Sequence, residues 1–310
     1  MRVAAIDCGT NSIRLLIADV DESTGMLTDV VRTMRVVRLG EGIDRTGEFS
    51  TGALDRTFAA CDEYAGLLAL HGAPALRFAA TSATRDARNR DAFIAGVRAR
   101  LGVEPDVIAG TEEAALSFLG AVRGLPPELL TLPVLVVDIG GGSTEFVLGE
   151  ALPSHSISID VGCVRMTERH LRSDPPTVQE IARVEADLAA ALDVAASAVP
   201  VGDARTLVGV AGSVTTVAAM ALRLTEYDPS ALHGAVVTLA QVEQVTAELL
   251  TMTRAERAAL PFMHEGRVDV IGGGAMVLRA LMRAYDQHEV IASETDILDG
   301  IVYRLVAPQT

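Results

Sequence analysis

The 310-residue chain contains no lysine, and all 26 of its basic residues are arginine. A Walker-type phosphate loop needs a lysine on the phosphates, so that mode of nucleotide binding is excluded. Schiff-base chemistry, which needs an amine nucleophile, is excluded with it. Cysteine is scarce too. Cys8, Cys61 and Cys163 are too few and too scattered for a disulfide scaffold or a zinc site. No apolar run approaches the roughly 20 residues of a membrane span. Positive charge is in deficit, because 26 arginines face 41 acids and leave a net charge of −15. A general nucleic-acid binder needs a broad basic footprint, so that class is excluded. A small anionic substrate is not, provided a local site brings its own donors. The N-terminus reaches Asp7 before a signal-peptide core could form. The expectation is a soluble, cytoplasmic protein with neither membrane nor nucleic acid as partner.

The length predicts about two domains. The start reads as a three-stranded meander: Arg2 to Ile6, Ile13 to Val20, and one or two strands between Met26 and Leu39. Helical spacing follows from Leu54 to Leu68. A strand from Ala75 to Ala80, a helix from Arg85 to Leu101 and a strand from Val103 to Ile108 come next. A helix from Thr111 to Val122 carries Thr111 as its N-cap and acids in its first turn. Pro126-Pro127 marks a boundary. Strands are then expected from Leu132 to Ile139, Phe146 to Leu148, Ser154 to Ile159 and Thr206 to Val210. Helices are expected over 178–199, 214–221, 241–250, 275–284 and 297–305. Each domain is expected to hold a mixed five-stranded sheet.

A weak internal repeat stands out. The stretches Asp7 to Ser12 and Asp138 to Ser143 both end an apolar strand with an acid, then glycine, then small hydroxyl residues. Both lead into another strand, whereas a helix follows in Rossmann and Walker patterns. Such a hairpin aims consecutive backbone N–H groups at one point, and glycine lets an anion approach. Three consecutive glycines, Gly140 to Gly142, are more than a plain turn needs.

These residues carry a resemblance. The stretches from Ala5 to Ser12, Arg38 to Gly42, Ala80 to Asn89, Gly110 to Ala114, Val137 to Glu145, Val161 to Arg165 and Gly209 to Thr216 are similar, in order and spacing, to those of the exopolyphosphatase/guanosine pentaphosphate phosphohydrolase family. That family belongs to the actin and sugar-kinase superfamily. The resemblance implies an α/β fold of two actin-like (ribonuclease H-like) domains with an inter-domain active-site cleft. It places residues 1–123 in the first domain, joined by a C-terminal helix at about 297–310, and residues 124–296 in the second. It implies hydrolysis of a terminal phosphoanhydride in inorganic polyphosphate or guanosine pentaphosphate, with magnesium or another divalent cation. Glu113 matches the family's catalytic glutamate. Gly9, Thr10, Asn11, Ser12, Arg85, Gly140, Gly141, Gly142, Ser143 and Thr144 match phosphate-binding positions, and Asp138, Glu145 and Asp7 lie near the metal. Longer members carry a further helical region, so a shorter grip on the polymer is expected here. A homodimer stays open.

Other readings compete. Acids in a first helical turn gain from the macrodipole without any function, and Glu112 fits that. Arg88 and Arg90 read as a solvated face, and Arg14 as either a contact or a core edge. The six histidines show no metal-ligand spacing. Ser82, Ser143 and Ser213 are read as lacking the strand–turn–helix nucleophile elbow. Two functional alternatives remain at this level: an ATP-dependent small-molecule kinase of the same superfamily, for which the glycines at 272–274 could contact adenosine, and a non-catalytic phosphate or alarmone sensor.

Overall fold

A computed structural model describes residues 1–21 and 23–307. The chain forms two compact units, one of residues 1–120 and 297–310, the other of residues 121–296. Among the described residues, no helix is long and apolar enough to cross a membrane.

The first unit opens with β1 (Arg2–Cys8), β2 (Ser12–Val20) and β3 (Leu27–Val36), an antiparallel meander. After the short α1 (Ile43–Thr46) comes the long α2 (Thr51–His71), started by the Ser50 hydroxyl on the Ala53 N–H. Then follow β4 (Leu76–Ala80), α3 (Ser82–Asp86), α4 (Arg90–Leu101), the two-residue β5 (Asp106–Val107) and α5 (Gly110–Gly124). The sheet order is β3-β2-β1-β4-β5, with β4 parallel to β1. One face packs Ile6, Ile13 and Phe78 against Tyr64 of α2 and Phe93 of α4. The other packs Val3, Ala5 and Leu16 against Leu116 and against Ile297, Leu298, Ile301 and Val302. Those last four belong to the C-terminal helix, Ile297–Val306, so the end of the chain covers its first strands. Arg32 of β3 grips the buried Asp299 of that helix with Nη2 and Nη1, at 2.5 and 3.3 Å.

The second unit repeats the plan. β6 (Val134–Ile139), β7 (Thr144–Gly149) and β8 (Pro153–Ile159) form an antiparallel meander. They are followed by α6 (Cys163–His170), α7 (Val178–Ala198), β9 (Thr206–Val210), α8 (Ala211–Ala221), α9 (Pro229–Leu232), β10 (Val236–Thr238), α10 (Leu239–Thr251), α11 (Arg254–Ala258), α12 (Ile271–Ala284) and β11 (Glu289–Ala292). The order β10-β11-β9-β6-β7-β8 makes six strands, where five were expected. Four of the six were placed in the sequence; β10 and β11 are three and four residues long, too short for an alternation to show.

Other boundaries also move. The segment read as one helix from Arg85 is α3 and α4, separated by extended backbone at Ala87. Thr111 is not an N-cap but lies inside α5, which starts at Gly110. The glycines at 272–274 form the first turn of α12 rather than a loop before it.

Candidate active site

The two acid–glycine hairpins superpose residue for residue in their pairing. In the first, Asp7 stands directly opposite Arg14 across β1 and β2, and the Gly9 N–H bonds the Ser12 carbonyl at 2.9 Å. In the second, Asp138 stands directly opposite Glu145 across β6 and β7, and the Gly140 N–H bonds the Ser143 carbonyl at 3.0 Å. Partners in register share a face of the sheet. The outcome differs between them. Arg14 donates through Nε and Nη2 to Asp7, at 3.0 and 2.8 Å, so the first carboxylate is matched by a cation of its own unit. The second hairpin sets two carboxylates side by side, both buried, with the Ser158 hydroxyl donating to Glu145 at 2.7 Å. Like charges directly opposite are unfavourable in a sheet.

Each turn is braced from behind. The Thr10 carbonyl accepts from the Gly40 N–H at 2.8 Å, and the Asn11 carbonyl from Arg38 at 2.8 Å and Val37 at 3.1 Å. In the second turn, the Gly140 carbonyl accepts from Cys163 at 2.9 Å, and the Gly141 carbonyl from Val164 and Arg165 at 2.9 and 3.1 Å. The carbonyls are thereby spent on the start of α6. Among the described residues, the N–H groups of Gly141, Gly142 and Ser143 and the Ser143 hydroxyl make no hydrogen bond. Three adjacent uncommitted donors are chemistry suited to an anion. The close approach of α6 requires Gly162, where a Cβ would lie 2.5 Å from the Gly141 carbonyl oxygen.

Glu113 lies in the first turn of α5 and is buried. Arg85, at the end of α3, donates from Nη1 to its Oε2 at 2.6 Å and to the Ile108 carbonyl at 3.1 Å. Its neighbour Glu112 is half exposed and pairs with Arg77 at 2.6 Å. The two adjacent glutamates therefore differ in environment: one is held inside by an arginine, the other lies on the surface.

A model of the Ppx/GppA phosphatase family matches residues 16–308. The chain belongs to the Ppx/GppA phosphatase family. It is 50% identical to exopolyphosphatase 2 of Mycobacterium tuberculosis, over 98% of each chain. It is 27% identical to the guanosine-5'-triphosphate,3'-diphosphate pyrophosphatase of Photobacterium profundum, over 98% of this chain and 59% of that one. Among solved structures, the crystal structure of an exopolyphosphatase-like protein matches with a TM-score of 0.94 at 44% identity, over 99% of both chains. The expected family and α/β class hold.

Within this Ppx/GppA fold, several residues carry more than the sequence reveals. Arg14, read in the sequence as either a contact or a core edge, forms an ion pair with Asp7. Ser158 drew no attention in the sequence, and Arg165 only as the end of the Val161 to Arg165 stretch with no role given, because their partners lie 13 and 23 residues away. At the strand-to-helix junction before Ser213 the residue with positive φ is Ala211 at 70°, and Ser213 sits two residues later inside α8, so the strained position carries an alanine and not the serine. The glycines at 273 and 274 have a packing reason. A Cβ on Gly273 would lie 2.7 Å from the Thr167 hydroxyl and 2.8 Å from the Cys163 carbonyl, so α12 sits directly on α6. Cys8 is buried among apolar neighbours behind the first turn, and burial pushes its thiol pKa up. Among the described residues, no three of histidine, cysteine, aspartate and glutamate gather as a metal-binding group.

Proposed function

We propose that this Ppx/GppA member is an exopolyphosphatase that hydrolyses the terminal phosphoanhydride of inorganic polyphosphate and releases orthophosphate. The supporting observation is the cradle of Gly141, Gly142 and Ser143, whose carbonyls are anchored and whose N–H groups are uncommitted. Half-identity to a mycobacterial exopolyphosphatase over nearly the whole chain supports the same reaction. Guanosine pentaphosphate ends in the same chemical group and is the second substrate of this reading.

The cradle donors bind the terminal phosphoryl oxygens, and Thr144 closes the turn through its hydroxyl on the Val161 carbonyl at 2.6 Å. Glu113 orients the attacking water and takes its proton. The water oxygen bonds to the terminal phosphorus as the bridging P–O bond breaks, and the shortened chain leaves with the bridging oxygen. Arg85 fixes the Glu113 carboxylate and keeps Nε and Nη2 for a phosphate oxygen. Thr10, Asn11 and Ser12 supply the second set of loop donors, and Gly9 closes that turn through its own N–H on the Ser12 carbonyl.

A divalent cation fits the Asp138 and Glu145 pair. Magnesium takes one or two carboxylates and fills its remaining positions with water and phosphate oxygens, so two buried carboxylates without a third ligand suffice. When bound, it neutralises charge on the phosphoryl oxygens. Asp7, which holds Arg14 through Oδ2, stands with Asp138 and Glu145 as a metal-proximal acid in this reading. Three free buried cysteines suit a reducing compartment, and we assign the enzyme to the cytoplasm.

Phosphate release from polyphosphate and from guanosine pentaphosphate, with magnesium and with chelator, tests this. Release with magnesium is expected on at least one of the two. Transfer of phosphate from ATP to a small acceptor, with no release from either polymer or pentaphosphate, would favour the kinase reading. Binding without any turnover would favour the sensor.

A further inference from the structure

The second turn consists of three peptide planes, and each needs an anchor if its N–H is to point at a ligand. In a trans peptide the carbonyl and the following N–H point in opposite directions. Cys163 N–H holds the Gly140 carbonyl, which turns the Gly141 N–H away from α6. Val164 and Arg165 N–H groups hold the Gly141 carbonyl and so orient the Gly142 N–H. The third plane, Gly142–Ser143, is held by a side chain instead: Arg165 Nε donates to the Gly142 carbonyl at 2.7 Å.

That side chain is conspicuous for its place. Arg165 is only 9% exposed and lies in the first turn of α6, where a cation opposes the helix dipole. Its acidic neighbour Asp160 is 3.9 Å away, too far for a hydrogen bond. Its Nε–H bond to the Gly142 carbonyl ties this buried arginine to the third plane. A glycine plane without an anchor turns over readily, because glycine accepts both signs of φ.

We propose that Arg165 is a positioning residue, whose Nε–H locks the Gly142–Ser143 peptide so that the Ser143 N–H completes a three-donor cradle for a terminal phosphoryl group. The proposal rests on the phosphatase reading above. Its claim is about a donor at one atomic position, not about charge.

Three variants separate these. Arg165→Gln places an amide nitrogen where Nε stands and removes the charge. Arg165→Lys keeps the charge and puts a methylene at that position. Arg165→Met removes both. Phosphate release from tripolyphosphate is measured with magnesium, alongside tripolyphosphate affinity by calorimetry and the melting temperature. The Met and Lys variants are expected to lose about tenfold or more in kcat/KM, mainly through KM, and the Gln variant to stay within about threefold of wild type. Equal losses in Gln and Met with Lys retained would mean that charge on the phosphate matters, and would overturn the proposal. So would a Met variant that folds and matches wild type. If wild type binds tripolyphosphate but does not hydrolyse it, the phosphatase reading fails, and the affinity order of the three variants still decides the role of Arg165. If wild type does neither, both are overturned.

Discussion

At the scale of single residues, two neighbouring glutamates make the sharpest contrast. Glu113 is buried against Arg85, and Glu112 faces Arg77 at the surface. Glu113→Gln keeps size and removes the base, and a positioned general base is worth roughly 10²–10⁴-fold. Turnover is therefore expected to fall by that order with KM largely kept, and Glu112→Gln to change it little. Steady-state kinetics on both variants checks this. Retention of more than about a tenth of turnover in Glu113→Gln would assign the base elsewhere. Asp138→Asn is expected to raise the magnesium concentration needed for half-maximal activity, whereas Arg14→Gln should leave that concentration nearly unchanged. A magnesium titration of each variant reads the difference. Residue types near the hairpins were legible in the sequence because glycine and acid sit together along the chain. Their partners were not. Whether Asp7 meets Arg14 and Asp138 meets Glu145 is a matter of strand register, and the brace from Arg165 comes from a different element.

At the scale of elements, α7 shows how an acid can stabilise a helix start without chemistry. Thr177 and Glu180 form a capping box, and Glu180 also accepts from the Arg172 and Ser173 N–H groups at 3.0 and 3.2 Å. Backbone donation, from Thr177 first, pulls its pKa from an ordinary 4.5 down to about 2. A depressed carboxyl stabilises the fold above its unfolded pKa and loses that contribution as pH falls through its folded one. The melting-temperature gap between wild type and Glu180→Gln should be full at pH 7, shrink between pH 4.5 and 2, and vanish below. Thermal unfolding across pH measures it, and a gap that persists at the lowest pH would contradict the linkage. Long periodic elements such as α2, α7 and the meander strands were legible, since hydrophobic spacing decides them. Short ones escaped: β10, β11 and α6 take their shape from what they pack on. The three glycines at 272–274 lie in the first turn of α12, and at 273 and 274 the neighbouring helices leave no room for a side chain.

At the scale of the whole molecule, charge and connection matter most. A chain at −15 repels a long polyanion away from its local donors, and attraction along a polymer grows with the number of basic groups on its track. Preference for short polyphosphates, or for guanosine pentaphosphate, over chains of hundreds of units is expected. Competition between tripolyphosphate and long polymer, counted per chain end, tests it, and faster turnover on the long polymer would refute it. The closing helix has its own test. Arg32→Leu removes the guanidinium from the buried Asp299 and should cost roughly 2–4 kcal/mol in denaturant unfolding, a discounted buried-pair value because Arg32 is one-third exposed. The two-unit plan was legible from the repeat and the proline pair. The tether from Arg32 to Asp299 was not, because it joins residues 267 apart. That tether has a consequence for how the protein is made. Strands β1 and β2 are made long before residues 297–302, which complete the cover of one face of their sheet beside Ile108 and Leu116. A chain cut just before Ile297 would keep all of residues 121–296 and a first unit whose sheet lacks most of the cover on that face.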